Sequence, residues 1–196
     1  MRCYRIVLLL AACALLAPSV AQAQTWQIDP MHSAAQFSVR HLGISTVRGQ
    51  FEKLSGSVTY DPAAPDKASI SATIDANSIN TRVEMRDNDL RSPNFLDVTK
   101  YPTITFKSKR IDPSGSGKLQ LVGDLTIRGV TKEVTLDVDG PTPPIKDLMG
   151  NSRMGASAST KINRHDFGVN GAPSMVGDEV VITLDLEMIV PQSPRK

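Results

Sequence analysis

Cysteine is nearly missing from this 196-residue chain, and the two present, Cys3 and Cys13, both lie near its start. A chain cleaved after that start has no disulfide framework and no thiolate chemistry. Aromatic residues are few: one Trp, three Tyr and five Phe. An outer-membrane barrel carries aromatic girdles at both interfaces, and these rings do not gather at strand ends. Neither sign of charge is in excess. Lys and Arg number 22 against 20 Asp and Glu, a net of +2. Arg2 and Arg5 account for it, so the chain beyond them nets to 2 − 2 = 0. That total is no footprint for nucleic acid or anionic lipid. Past residue 23 no apolar run approaches membrane-spanning length.

Signatures of catalysis are scarce as well. No glycine loop of the phosphate-binding kind occurs. The run nearest to a nucleophile elbow, Gly155-Ala156-Ser157-Ala158-Ser159, lacks the last glycine and falls mid-strand. His32, His41 and His165 lack the close spacing of a zinc site, and hydrogen-bonded histidines at strand ends are the plainer reading. Acid pairs such as Asp87 with Asp89 or Asp178 with Glu179 are ordinary in solvated loops. No catalytic residue, metal ligand or cofactor is expected.

What is present begins with a leader. Arg2 and Arg5, the apolar run Ile6–Leu16 and the small-residue stretch Ala21-Gln22-Ala23 read as a secretory signal peptide over residues 1–23. Leu10-Ala11-Ala12-Cys13 resembles a lipobox, so acylation at Cys13 stands as an alternative. Residues 24–190 then suit one domain with a real core, and 191–196 read as a disordered tail.

Period-two alternation fills most of that domain. After a short lead-in at Trp26–Pro30, apolar positions alternate in Ser33–His41, Thr46–Tyr60, Ala68–Ala76, Thr103–Arg110, Leu119–Ile127, Val130–Asp139, Ser152–Asn163 and Asp178–Val190. The phase slips once, at Glu52-Lys53, as at a bulge or sharp bend. Arg128-Gly129 is a tight hairpin signal. The alternation stops between Thr81 and Pro102. Thr81 and Glu84 have capping-box spacing and Ser92-Pro93 is a stop signal, predicting one short helix near 82–91. A lone helix in such a place covers a barrel end or a sheet edge.

Eight long antiparallel strands close naturally into a barrel. With the aliphatic faces turned inward, the lumen residues expected are Phe37, Val39, Ile70, Ile74, Ile104, Phe106, Leu121, Leu125, Leu136, Met154, Ile162, Ile182, Leu184 and Leu186. Arg86, Asp87, Leu90, Phe95, Leu96 and Phe167 are expected at the mouth or lid. Ala35, Gly56, Ala68, Ala72, Ala76, Gly123, Ala156 and Ala158 are small inner-face candidates that would leave space. A tall, narrow, aliphatic space suits a long-chain lipid. About 35 buried heavy atoms at roughly 0.3 kcal/mol each would give on the order of 10 kcal/mol of binding. Bulky neighbours filling the gaps would instead make the barrel solid.

The segments Trp26–Asp29, Phe37–His41, Val47–Phe51, Met85–Asp87 with Leu90–Asp97, Tyr101–Phe106, Gly123–Thr131 and Asn163–Gly168, in this order and spacing, resemble the YceI-like family of bacterial periplasmic polyisoprenoid-binding proteins. The resemblance spans essentially the whole chain after the leader. It implies an all-β, eight-stranded antiparallel lipocalin-like barrel that binds a polyisoprenoid or isoprenoid quinone, without catalysis, in the periplasm. Many relatives have a His where this chain has Asp89, which bears on any head-group preference. A homodimer formed through an exposed strand face is compatible with such a barrel. A stress-related interaction barrel with a filled core, or an enzyme acting on a lipid, are the other readings.

Overall fold

The computed structural model describes residues 23–114 and 118–191. Apart from Ala23 and Pro191, the expected leader (1–23), the lipobox at Cys13 and the tail (191–196) lie outside the described residues.

Twelve strand segments form one sheet that closes on itself. In chain order they are β1 (Gln24–Ile28), β2 (Ala34–His41), β3 (Ser45–Phe51), β4 (Leu54–Tyr60), β5 (Ser69–Asp75), β6 (Ile79–Asn80), β7 (Thr103–Pro113), β8 (Lys118–Ile127), β9 (Val130–Asp139), β10 (Ile145–Lys146), β11 (Ser152–Asn163) and β12 (Val176–Val190). Three pairs of segments are halves of bent strands. β1 and β2 both pair with β12, at Met188–Ile189 and at Val176–Asp185 respectively. β3 and β4 break at Glu52-Lys53, where the alternation changes phase. β5 and β6 are separated by a short 3-10 turn at Ala76–Ser78. Counted this way, and with the two-residue β10 lying on the β9 side of β11, eight antiparallel strands close the ring. The residues read as a lead-in are in fact a strand: β1 pairs with β4 from Gln24↔Tyr60 to Gln27↔Ser57. Five residues alternate too briefly to show it, and pairing on both sides decides the matter.

The ladders differ in length. β11 and β12 pair over twelve residues, whereas β9 and β11 pair over three, Ser157–Ser159 against Asp137–Asp139. Beyond that seam Thr160 Oγ1 donates to Thr135 O at 2.7 Å.

The helix α1 (Glu84–Arg91) is shorter than expected and starts differently. Val83 is its N-cap and provides no side-chain cap. Thr81 does not form the capping box. Its amide and its hydroxyl both donate to Asp87 Oδ1, at 2.8 and 2.5 Å. Arg86 in turn donates to Thr81 Oγ1 and Thr81 O, each at 2.8 Å. A carboxylate accepts both Thr81 donors together, which a cap across Glu84 would not. The stop at Ser92 is where the sequence places it.

Candidate functional site

The inner faces of the strands enclose a cavity of about 280 Å³, measured as the space open to the centre of a water-sized sphere. Its lining runs from Met154 and Met188 near one end of the barrel to Arg164 and Val176 near the other. The wall is apolar, aliphatic side chains with all five phenylalanines among them, and Gln36, Thr105, Thr160 and Arg164 are among its few polar residues.

All fourteen residues expected in the lumen lie on this wall. Of the six expected at a mouth or lid, Leu90, Phe95, Leu96 and Phe167 line it too. Arg86 and Asp87 do not. They converge on Thr81 and fasten α1 to the end of β6. Sequence reasoning passed over Ile28, on the segment read as a lead-in, and Val176, where β12 begins two residues earlier than expected. Arg164 was missed as well. It shares the inward phase of Met154, Ala156, Ala158 and Ile162, and that phase was the available signal.

Small inner residues act in two ways. Ala35, Ala68, Ala72, Ala156 and Ala158 face the cavity. Gly56 and Gly123 leave no space, contrary to expectation. A Cβ at Gly123 would sit 2.4 Å from the Phe106 ring, and one at Gly56 would sit 2.8 Å from Ile28 Cδ1. Each glycine is the seat of a neighbour's side chain. Ala76 is buried in the core beside Phe95 and Phe167, off the cavity wall.

One end of the channel is capped. Phe95, Phe167 and Val169 are buried with Ile104, Leu125 and Ile127 beneath α1, its following loop and the 3-10 turn Arg164–Phe167. Two arginines hold these irregular segments together. Arg128, at the tip of the β8–β9 hairpin, donates to Pro93 O at 2.8 Å and to Gly168 O. Arg164 is 4 % exposed and donates to the carbonyls of Val169, Gly171, Val176 and Gly177 at 2.8–3.0 Å. Burial pulls its pKa below the ordinary arginine value, and Asp178 opposes that shift. At the same end Phe37, Val39 and Val180 line the cavity and are partly buried, and Phe51 packs against the cap cluster.

The other end carries an ion cluster. Arg153 bonds Asp29 Oδ2 at 2.7 Å, Asp147 Oδ2 at 2.8 Å and Glu187 Oε1. The Arg153 and His32 hydrogen bonds lower the Asp29 pKa to about 2. Arg153 and Asn151 hold Asp147 well below the usual carboxylate range. Asp29, His32 and Glu187 bring three ligand atoms within 4.8 Å of one another, but Arg153 already occupies two of these groups. His32 and His165 sit beside Glu187 and Asp178, nine residues apart on β12 or about 30 Å, so they share no site. His165 bonds Asn170 Oδ1 at 2.7 Å and Asp178 Oδ1 at 2.8 Å. Both partners are acceptors, so the imidazolium fits the position, and the Asn170 and Asp178 bonds raise its pKa. Neither ring nitrogen is left to take a substrate proton.

No helix among the described residues is long and apolar enough to cross a membrane. The pattern that defines the YceI-like domain matches residues 26–188. A UPF0312 protein of Pseudomonas putida is 35 % identical over 179 residues, 90 % of each chain. Among solved structures, Burkholderia cenocepacia BcnA superposes with a TM-score of 0.73 at 27 % identity, covering 82 % of this chain and 98 % of that one. A Saccharophagus degradans domain described as polyisoprenoid binding and implicated in plant cell wall breakdown shares the fold, with a TM-score of 0.64 at 16 % identity over 87 % of this chain and all of that one.

Proposed function

The chain belongs to the YceI-like family, and from that premise we propose that it is a non-catalytic binding protein that holds one long apolar chain, an isoprenoid or isoprenoid quinone, in its lumen. The observation that carries this reading is the cavity itself: enclosed by the strands and lined almost wholly by apolar side chains from one end of the barrel to the other. Binding is burial, roughly 0.8 kcal/mol per methylene taken out of water. The fourteen lumen residues supply that surface, and Leu90, Phe95, Leu96 and Phe167 close one end over it. A protein of the same fold is described as polyisoprenoid binding, which agrees with the ligand class. The channel weighs against a filled-core interaction barrel. The occupied nitrogens of His165 weigh against an enzyme built on that residue. Export through the leader at 1–23 would place the protein in the periplasm, where a water-filled gap separates two lipid phases.

Native mass spectrometry of the protein recovered from a bacterial periplasm, followed by solvent extraction, tests the reading. A stoichiometric isoprenoid is the expected result; apo protein that also refuses an added isoprenoid series would overturn it. Leu184, which faces Ala35 and Ala158 across the wall, gives a sharper check. Leu184→Glu places a carboxylate in the channel, and lipid retention is expected to vanish. A folded variant that still holds lipid would move the ligand out of the lumen.

A further inference from the structure

Exposed aliphatic side chains gather at the tip of the β2–β3 hairpin, where Leu42 (53 % exposed) and Ile44 (79 %) flank Gly43 beside Met175 (50 %). Leu42 N donates to Met175 O at 2.7 Å, so hairpin and neighbouring loop present the three side chains as one patch. The tip is held in shape. Leu42 and Gly43 take φ of 51° and 71°, Ile44 N bonds His41 O, and Arg40 donates to Gly43 O and Thr46 Oγ1. An apolar patch held out in water in a fixed shape marks an interaction surface.

Two further observations say what meets it. The patch is continuous with the lumen: His41 pairs with Val176 and Val39 with Val180, and Val39, Val176 and Val180 all line the cavity. The hairpin is also locally cationic, although the chain as a whole is near neutral. Residues 38–50 contain Arg40, His41 and Arg48 and no acid. The acids next to it at the start of β12 are already engaged, Asp178 with His165 and Glu179 with Lys161. A second exposed apolar group, Ile145, Leu148 and Met149, brackets Asp147, which is bonded to Arg153, and Lys146, which donates to Gly150 O and Ser152 Oγ, so acid and base are mixed there.

We propose that the β2–β3 hairpin tip, with Met175, docks on a bilayer surface bearing anionic head groups. Leu42, Ile44 and Met175 enter the boundary between head groups and acyl chains, and Arg40 and Arg48 meet the phosphates. Docked this way, the cavity-lining Val39, Val176 and Val180 lie nearest the acyl layer, from which a lipid passes into the lumen without crossing water. That route rests on the binding function proposed above; the docking does not.

The test is flotation of the chain from Gln24 onward, which holds every element of the barrel, with vesicles of phosphatidylcholine alone or with about a third phosphatidylglycerol. Binding to the anionic vesicles that weakens with salt is expected. The double variant Leu42→Ser with Ile44→Ser is expected to bind at least about tenfold less. Both positions are exposed, so circular dichroism and retention of a lumen lipid should be unchanged. A chain that floats with anionic vesicles but holds no lipid would sink the binding function and support the docking. Absence of vesicle binding by the unaltered chain, or equal binding by the double variant, overturns the docking. So does a tip that crosslinks to another protein, or to a second copy, while ignoring vesicles.

Discussion

The two ends of the barrel use arginine against different partners. At the capped end Arg91, Arg128 and Arg164 all donate to backbone carbonyls: Asn77 and Ile79, Pro93 and Gly168, and four carbonyls of the loop before β12 and of its first two residues. At the other end Arg153 bonds three carboxylates. The difference follows from what each end is made of. Irregular segments leave carbonyls without ladder partners, and these need donors once buried. A guanidinium supplies five donors in a fixed fork, enough to gather several strands of loop at once. Where regular strands run to the rim the ladder already satisfies the backbone, and the arginine is free to join side chains. The arginines of the cap therefore bond groups that do not titrate, and the arginine of the opposite end bonds groups that do.

The largest expected effect lies in the cap. Arg164→Met leaves the carbonyls of Val169, Gly171, Val176 and Gly177 without their donor. Unfolding in denaturant is expected to become easier by at least about 3 kcal/mol, and amide exchange across 168–177 should accelerate. A variant as stable as the parent would mean that the cap is held by its apolar core and not by this fork.

A matched pair of glycines compares the ends at smaller scale. A Cβ at Gly171, in the cap, would lie 2.6 Å from the Phe95 ring and 2.7 Å from Asn94 O. Gly171→Ala is expected to cost about 1–3 kcal/mol by overpacking. Gly155, toward the other end, has only Leu186 O at 3.5 Å, so Gly155→Ala should stay within about 0.5 kcal/mol. Chemical denaturation of both variants reads the contrast. Equal costs would erase the distinction between a close-packed cap and a more tolerant strand end.

The smallest effects are in pH, and the ends should respond in opposite directions. Asp29 titrates at about 2 in the fold against 3.8 ordinarily. Its contribution is complete above 3.8 and is lost as pH falls through about 2. His165 is shifted upward from 6.5. Its contribution is complete below 6.5 and is lost as pH rises through its raised folded value. Amide exchange followed across pH should therefore show residues around 147–153 loosening in acid and residues 165–178 loosening on the alkaline side. Arg153→Met should lower the thermal midpoint at neutral pH and remove the acid response. Identical pH responses at both ends would show that these contacts do not set local stability.

Alternation is a local property of a strand, and it sufficed to place all fourteen lumen side chains on the cavity wall and to locate the bend at Glu52-Lys53. Turn chemistry was equally legible: Arg128-Gly129 forms the expected hairpin, with φ of 50° and 73°. The same local logic failed where a competing partner takes the group. Thr81 and Glu84 have the spacing of a cap, yet Asp87 takes both Thr81 donors. Gly123 reads as vacant space until Phe106, on the neighbouring strand, is seen to fill it.

By itself, then, the order of residues determined which side chains face inward, because a period of two needs no knowledge of distant contacts. Only the tertiary structure decided which of those faces stays hollow and which end is closed. Cavity volume depends on how neighbouring strands interlock. The cap depends on arginines reaching carbonyls as many as 40 residues away, as from Arg128 to Gly168, and no local pattern encodes such a reach.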